Sequence, residues 1–114
     1  MTFEKLEIWK LSQELAFLLW QIFFSLDFKR YAFQDQIMRA VISISNNIAE
    51  WYERKSIAEK KQFLYYAKWS CAEVKNMIYL ASWFWFVSWI QKDDFLQRIT
   101  TMSVKIQNFI TSLK

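Results

Sequence analysis

Across its 114 residues the chain holds no glycine and no proline. An ordinary globular sequence of this length carries roughly 8 Gly and 6 Pro. Those residues supply the positive φ angles and pre-set turns on which tight hairpins, sandwiches and most sheets depend. A chain without them is expected to be all-α. Hydrophobic residues make up 54% and aromatic residues 20%, which excludes a disordered chain and fits one domain with a real core.

Histidine is absent as well. That removes Ser-His-Asp and Cys-His catalysis and every His-ligated metal site. Cys71 stands alone, so it can form neither an internal disulfide nor a zinc cluster. The longest charge-free stretch, 76–91, is shorter than the ~20 apolar residues a membrane-spanning helix needs. The opening residues are charged and lack a signal-peptide layout, so a cytoplasmic location is expected.

Apolar residues recur at helical spacing in four segments, at about 4–25, 33–52, 56–87 and 89–113. The second places Ile37, Val41, Ile44 and Ile48 on one face. The third opens with Ser56 and Glu59 as a capping box, then repeats Leu64, Ala67, Cys71, Val74, Ile78, Ala81 and Trp85. The fourth carries Phe95, Ile99, Met102, Ile106, Phe109 and Leu113. These are coiled-coil-like seams, and short links between them predict an antiparallel up-down four-helix bundle. The second half of the first segment is apolar on nearly every side, which predicts self-association, because such a helix is buried all round.

The net charge is +4. Between Arg54 and Lys75 stand Arg54, Lys55, Lys60, Lys61, Lys68 and Lys75 against only Glu59 and Glu73, so the whole excess sits on one segment. Arg54, Lys61, Lys68 and Lys75 are seven residues apart and drift only about 20° per step on a helix. Tyr65 and Tyr79 lie beside them. A basic row interleaved with tyrosines suits phosphate contacts and base stacking; the alternative is a solvated face flanking the core. A polar stripe on the second segment, Gln36, Arg39, Ser43, Asn47 and Glu50, is expected to form a buried or inter-subunit hydrogen-bond network. Its alternative is a ligand or RNA contact through Arg39 or Asn47. Cys71 falls at a core position. Glu4, Glu7 and Glu14 share a face without further converging acids, and adjacent Asp93 and Asp94 cannot point at one site. No catalytic constellation, metal site or cofactor site emerges, and a non-enzymatic protein is expected.

The middle of the chain is more specific. The run Gln36-Ile37-Met38-Arg39-Ala40-Val41-Ile42-Ser43-Ile44, then Asn47-Ile48-Ala49-Glu50 and Arg54-Lys55-Ser56, resembles the four helix bundle proteins encoded within intervening sequences of bacterial 23S ribosomal RNA. Phe63-Leu64, Ala67, Ser70 and Glu73 continue the likeness, and Phe3-Glu4-Lys5-Leu6-Glu7-Ile8-Trp9 looks like the family's opening. The resemblance implies a bacterial, antiparallel four-helix bundle that assembles as a homopentamer with a basic surface and has no established enzymatic activity. It also implies kinship with the accessory variability determinant of diversity-generating retroelements, whose pentameric bundle engages a reverse transcriptase and RNA. The expected partners are further copies of the chain, RNA or DNA, and a nucleic-acid enzyme for which the protein would be an accessory subunit. In that second role the aromatic run from Trp83 to Trp89 would dock the partner.

The chain departs from the family pattern at Ser45 and Asn46, where Pro and Ser are usual, and at Trp51, Trp69 and Trp85, where Gly is usual. Three tryptophans at glycine positions, in a chain with no glycine, suggest a gene in which UGA specifies glycine but is read here as tryptophan. Genuine substitution or redesign is the alternative.

Overall fold

The computed structural model describes residues 6–25 and 27–113. Among them it holds four α-helices and no strand: α1 Glu7–Phe23, α2 Tyr31–Glu53, α3 Ile57–Trp83 and α4 Trp89–Ser112. Each helix packs on its neighbour in sequence, and α1 also closes against α4. The resulting rod measures 45 × 22 × 21 Å. The 27 residues of α3 span about 40 Å at the ordinary helical rise, so this helix runs nearly the full length.

The apolar seams meet along the rod axis. Leu15, Leu19 and Phe23 from α1, Ile37, Val41, Ile44 and Ile48 from α2, Leu64, Val74 and Ile78 from α3, and Ile99, Met102 and Ile106 from α4 are almost wholly removed from water. Burying each such side chain is worth about 1.5–3 kcal/mol, and this term holds the helices together. One end is plugged by rings. Phe23 meets Phe28 edge-on at 5.1 Å, Phe28 meets Phe86 at 5.0 Å, and Phe33 meets Phe86 at 5.2 Å. At the other end Trp51 packs on Phe109 with 4.9 Å between ring centroids.

The helix limits differ from the sequence reading in instructive ways. Residues 4 and 5 lie outside the described residues, and α1 starts at Glu7. The second helix starts at Tyr31 rather than 33, and the third ends at Trp83 rather than 87. That third helix closes in a Schellman turn: Phe86 N–H donates to Ala81 C=O at 2.8 Å, Trp85 N–H donates to Ser82 C=O at 3.2 Å, and Trp85 takes φ 64°. Trp85 therefore leaves the core seam and stands 87% exposed. In α4 the seam passes from Ile106 to Ile110, which is buried, while Phe109 is half out in solvent. A straight helix drifts from a strict seven-residue repeat, and by the last turn the next position over faces inward.

The caps also redistribute. Ser56 caps α3 by accepting from Glu59 N–H at 3.1 Å, but the Glu59 carboxylate turns to Arg54 instead of returning to Ser56. The reciprocal capping box stands at α4. Ser88 Oγ accepts from Gln91 N–H at 3.1 Å and Gln91 Oε1 accepts from Ser88 N–H at 2.8 Å. Among the described residues no helix is long and apolar enough to cross a membrane.

Candidate nucleic-acid interface

The basic segment divides into two groups once folded. Arg54 is not on α3: it is the C-cap of α2. Its guanidinium bonds Glu50 at 2.9 Å and Glu59 at 3.4 Å, and lies 4.7 Å from the Phe63 ring centroid. Heptad spacing continued through a helix break and assigned Arg54 to a row that the backbone does not extend. Its charge is matched locally. Lys55 is exposed in the link between α2 and α3. Lys60 folds back on the end of α2, with Nζ 3.4 Å from the Trp51 carbonyl and 3.5 Å from that of Tyr52, where a cation complements the helix dipole.

Lys61, Lys68 and Lys75 form the second group. They follow one line along α3, about 10.5 Å apart by the helical rise. The ion pairs among the described residues bind Arg54, Lys92, Arg98 and Lys105 to carboxylates and leave this row out. Lys68 Nζ donates to Gln107 Oε1 of α4, which fixes the row on the flank of α3 facing that helix. Lys68 and Lys75 border a surface groove of about 280 Å³ between α3 and α4, with Trp69 and Ala72 on one wall and Thr100, Ser103 and Val104 on the other. Cys71 lies at its floor, buried. Burial pushes its thiol up to about 12, so at neutral pH it is an inert apolar group, as its core position predicted.

Aromatic side chains run beside the lysines. Tyr65 and Trp69 are 38% and 59% exposed, with ring centroids 6.0 Å apart and planes inclined by 31°. Tyr66 meets Trp69 at 5.8 Å. The sequence reading included Tyr65 but passed over Tyr66 and Trp69, as well as the α4 residues Thr100, Ser103 and Gln107. The signal for the rings was present, since Tyr65, Tyr66 and Trp69 stand at the three- and four-residue spacings that place side chains side by side on a helix. Thr100, Ser103 and Gln107 stand at the same spacings on α4, but spacing does not tell that their face meets the lysine row.

The polar stripe of α2 separates as well. Ser43 and Ser70 share a hydrogen bond of 2.9 Å between α2 and α3, and Asn47 Nδ2 donates to Ser43 C=O at 2.8 Å and to Ser43 Oγ at 3.0 Å. This small network lies at the helix contact. Glu50 belongs instead to the Arg54 cluster, and Gln36 and Arg39 are exposed. On the opposite flank Glu7 pairs with Lys105 at 3.2 Å, and Arg98 bonds Asp94 at 2.9 Å and Glu14 at 2.7 Å. The hydrogen bonds to Asp94 and then Glu14 hold the Arg98 guanidinium more firmly charged than usual. Asp93 turns to Lys92. Glu4 lies outside the described residues. Glu7 and Glu14 thus tie α1 to α4, while Asp93 and Asp94 pair with cations of α4 itself.

Four helices closed around one apolar axis, with an uncompensated lysine row and exposed rings on a single helix, define an all-α bundle with a basic face. The profile of the 23S rRNA-intervening sequence protein family matches residues 4–108, so the chain belongs to that family. No curated protein matches the chain.

Proposed function

We propose that the protein is a non-enzymatic, homo-oligomeric four-helix bundle that binds structured RNA through the α3 row, with Lys61, Lys68 and Lys75 as its centre, Tyr65 beside them and Lys55 at the margin. The observation that carries this reading is that these three lysines lie in line without a carboxylate partner among the described residues, while the other flank is neutralised by ion pairs. Lysines with no carboxylate to answer are free to neutralise phosphates, and so to release the cations condensed on the RNA. An antiparallel up-down course is supported by the meeting of Phe23 at the end of α1 with Phe33 at the start of α2. The meeting of that same Phe33 with Phe86 just beyond α3 supports it too. Assembly as a pentamer, which rests on family likeness, and a cytoplasmic location belong to the same proposal. Repetition of the row around a ring would join several weak sites into one strong one.

The test is a titration of purified protein against a fluorescent structured RNA at several salt concentrations. A steep fall of log affinity with log salt is expected, shallower by roughly 0.7–0.9 for each lysine contact removed. A Lys61→Glu/Lys68→Glu variant that binds as well as the parent would overturn the assignment. A second reading, an accessory subunit for a nucleic-acid enzyme such as a reverse transcriptase, is favoured by the exposure of Trp83, Phe84, Trp85 and Trp89 at one end. Capture of a protein partner that persists after nuclease treatment would move the weight to it.

A further inference from the structure

The rings beside the lysine row narrow the kind of nucleic acid that fits there. We infer that α3 engages an unpaired stretch of RNA, with bases stacked on Tyr65 and Trp69 and the backbone led along Lys61, Lys68 and Lys75. This inference rests on the proposed function and specifies its ligand. Three observations carry it. The Tyr65 and Trp69 rings are exposed, with centroids 6.0 Å apart and planes inclined by 31°, so two neighbouring aromatic side chains are open to solvent and neither is turned edge-on to the other. Lys68 and Trp69 both border the α3–α4 groove, so one cleft is lined by a cationic and an aromatic side chain. Across that groove stand the Thr100 and Ser103 side chains, whose hydroxyls can donate to and accept from a sugar or base edge.

Duplex RNA cannot use this arrangement. Its base faces are covered by their neighbours, and its shallow groove offers ribose hydroxyls and phosphates instead of ring faces. A basic row alone would serve either form, because phosphates are common to both. The rings are what discriminate, since every unpaired base has a face on which an aromatic side chain can stack. A loop, bulge or end of a structured RNA would supply such a stretch.

The test uses the full chain and three probes of equal length: a mixed-sequence single-stranded RNA, the same strand annealed to its complement, and an abasic strand that keeps the phosphates. The single strand is expected to bind about tenfold or more tightly than either other probe. A Tyr65→Ala/Trp69→Ala variant, altered only at exposed positions, is expected to lose that preference while its salt dependence stays as in the parent. A Lys68→Gln/Lys75→Gln variant should do the reverse, keeping the preference while the salt slope becomes shallower. Equal binding of all three probes, or preference for the duplex, overturns this inference and leaves the RNA-binding proposal standing. Failure of every probe to bind at low salt overturns both.

Discussion

Trp85 occupies the residue position in this fold where side-chain chemistry and backbone geometry disagree. It stands one place past the C-cap of α3 at φ 64°, the left-handed region that costs an L-residue about 1–2 kcal/mol and costs glycine almost nothing. Its indole is 87% exposed, so little packing offsets that cost. Trp85→Gly is therefore expected to raise stability by about 1 kcal/mol. Trp51 is the opposite case: it is buried and packs on Phe109 and Tyr52. Trp51→Gly is expected to lower stability by about 3–5 kcal/mol through the cavity it opens. Chemical denaturation of both variants measures the pair. If Trp51→Gly proves neutral or stabilising, the packing seen here is not what selection shaped, and glycine decoded as tryptophan becomes the better account of that position. Trp69, on the surface of α3, carries neither strain nor burial that would decide between the two.

The elements show which parts of this structure were legible in the sequence. The helices were, because a period near 3.6 is written in every seam and nothing interrupts it: Ile37, Val41, Ile44 and Ile48 are buried as their spacing requires. The helix ends were harder to read, because a chain with no Gly or Pro lacks the residues that mark stops. The end of α3 at Trp83 is set by a tryptophan in a glycine's conformation, for which composition offers no cue. The same blindness placed Arg54 in the lysine row. The α4 start was read at residue 89, where it lies, but the capping box that sets it went unremarked, although Ser88 and Gln91 have the required spacing. Its reciprocal bonds, absent at Ser56, give an expected difference: Ser88→Ala should cost about 1 kcal/mol or more, and Ser56→Ala less. Urea midpoints at unchanged slope measure both, and an equal loss would show that the returning Gln91 bond adds nothing. Of the candidate interface, the lysines were readable from charge and spacing. The groove was not, because sequence does not tell which flank of α3 receives α4.

At the scale of the molecule, large apolar side chains stand exposed together along the first helix, and a contiguous exposed apolar patch marks an interaction surface. Phe17 and Trp20 on the outer face of α1 and Phe24 at its C-cap are each exposed, with Phe17 and Trp20 stacked at 6.5 Å. They begin just where the first segment becomes apolar all round, and a helix of that kind requires a second covering layer. The lysine row lies across the rod, on the α3–α4 side. A partner laid on α1 would therefore leave the row open, and copies of the chain joined this way would present it repeatedly. Native mass spectrometry at micromolar concentration is expected to show a closed homo-oligomer, of five copies if the family likeness extends to ring size. Phe17→Glu/Trp20→Glu should dissociate it while helical circular dichroism is retained. That variant keeps every lysine of the row, so any loss of RNA affinity in it measures the contribution of repetition, which linked weak sites make large. A parent protein that is monomeric across that concentration range would overturn the assembly. A dissociated variant that binds RNA as tightly as the parent would show that one α3 row suffices.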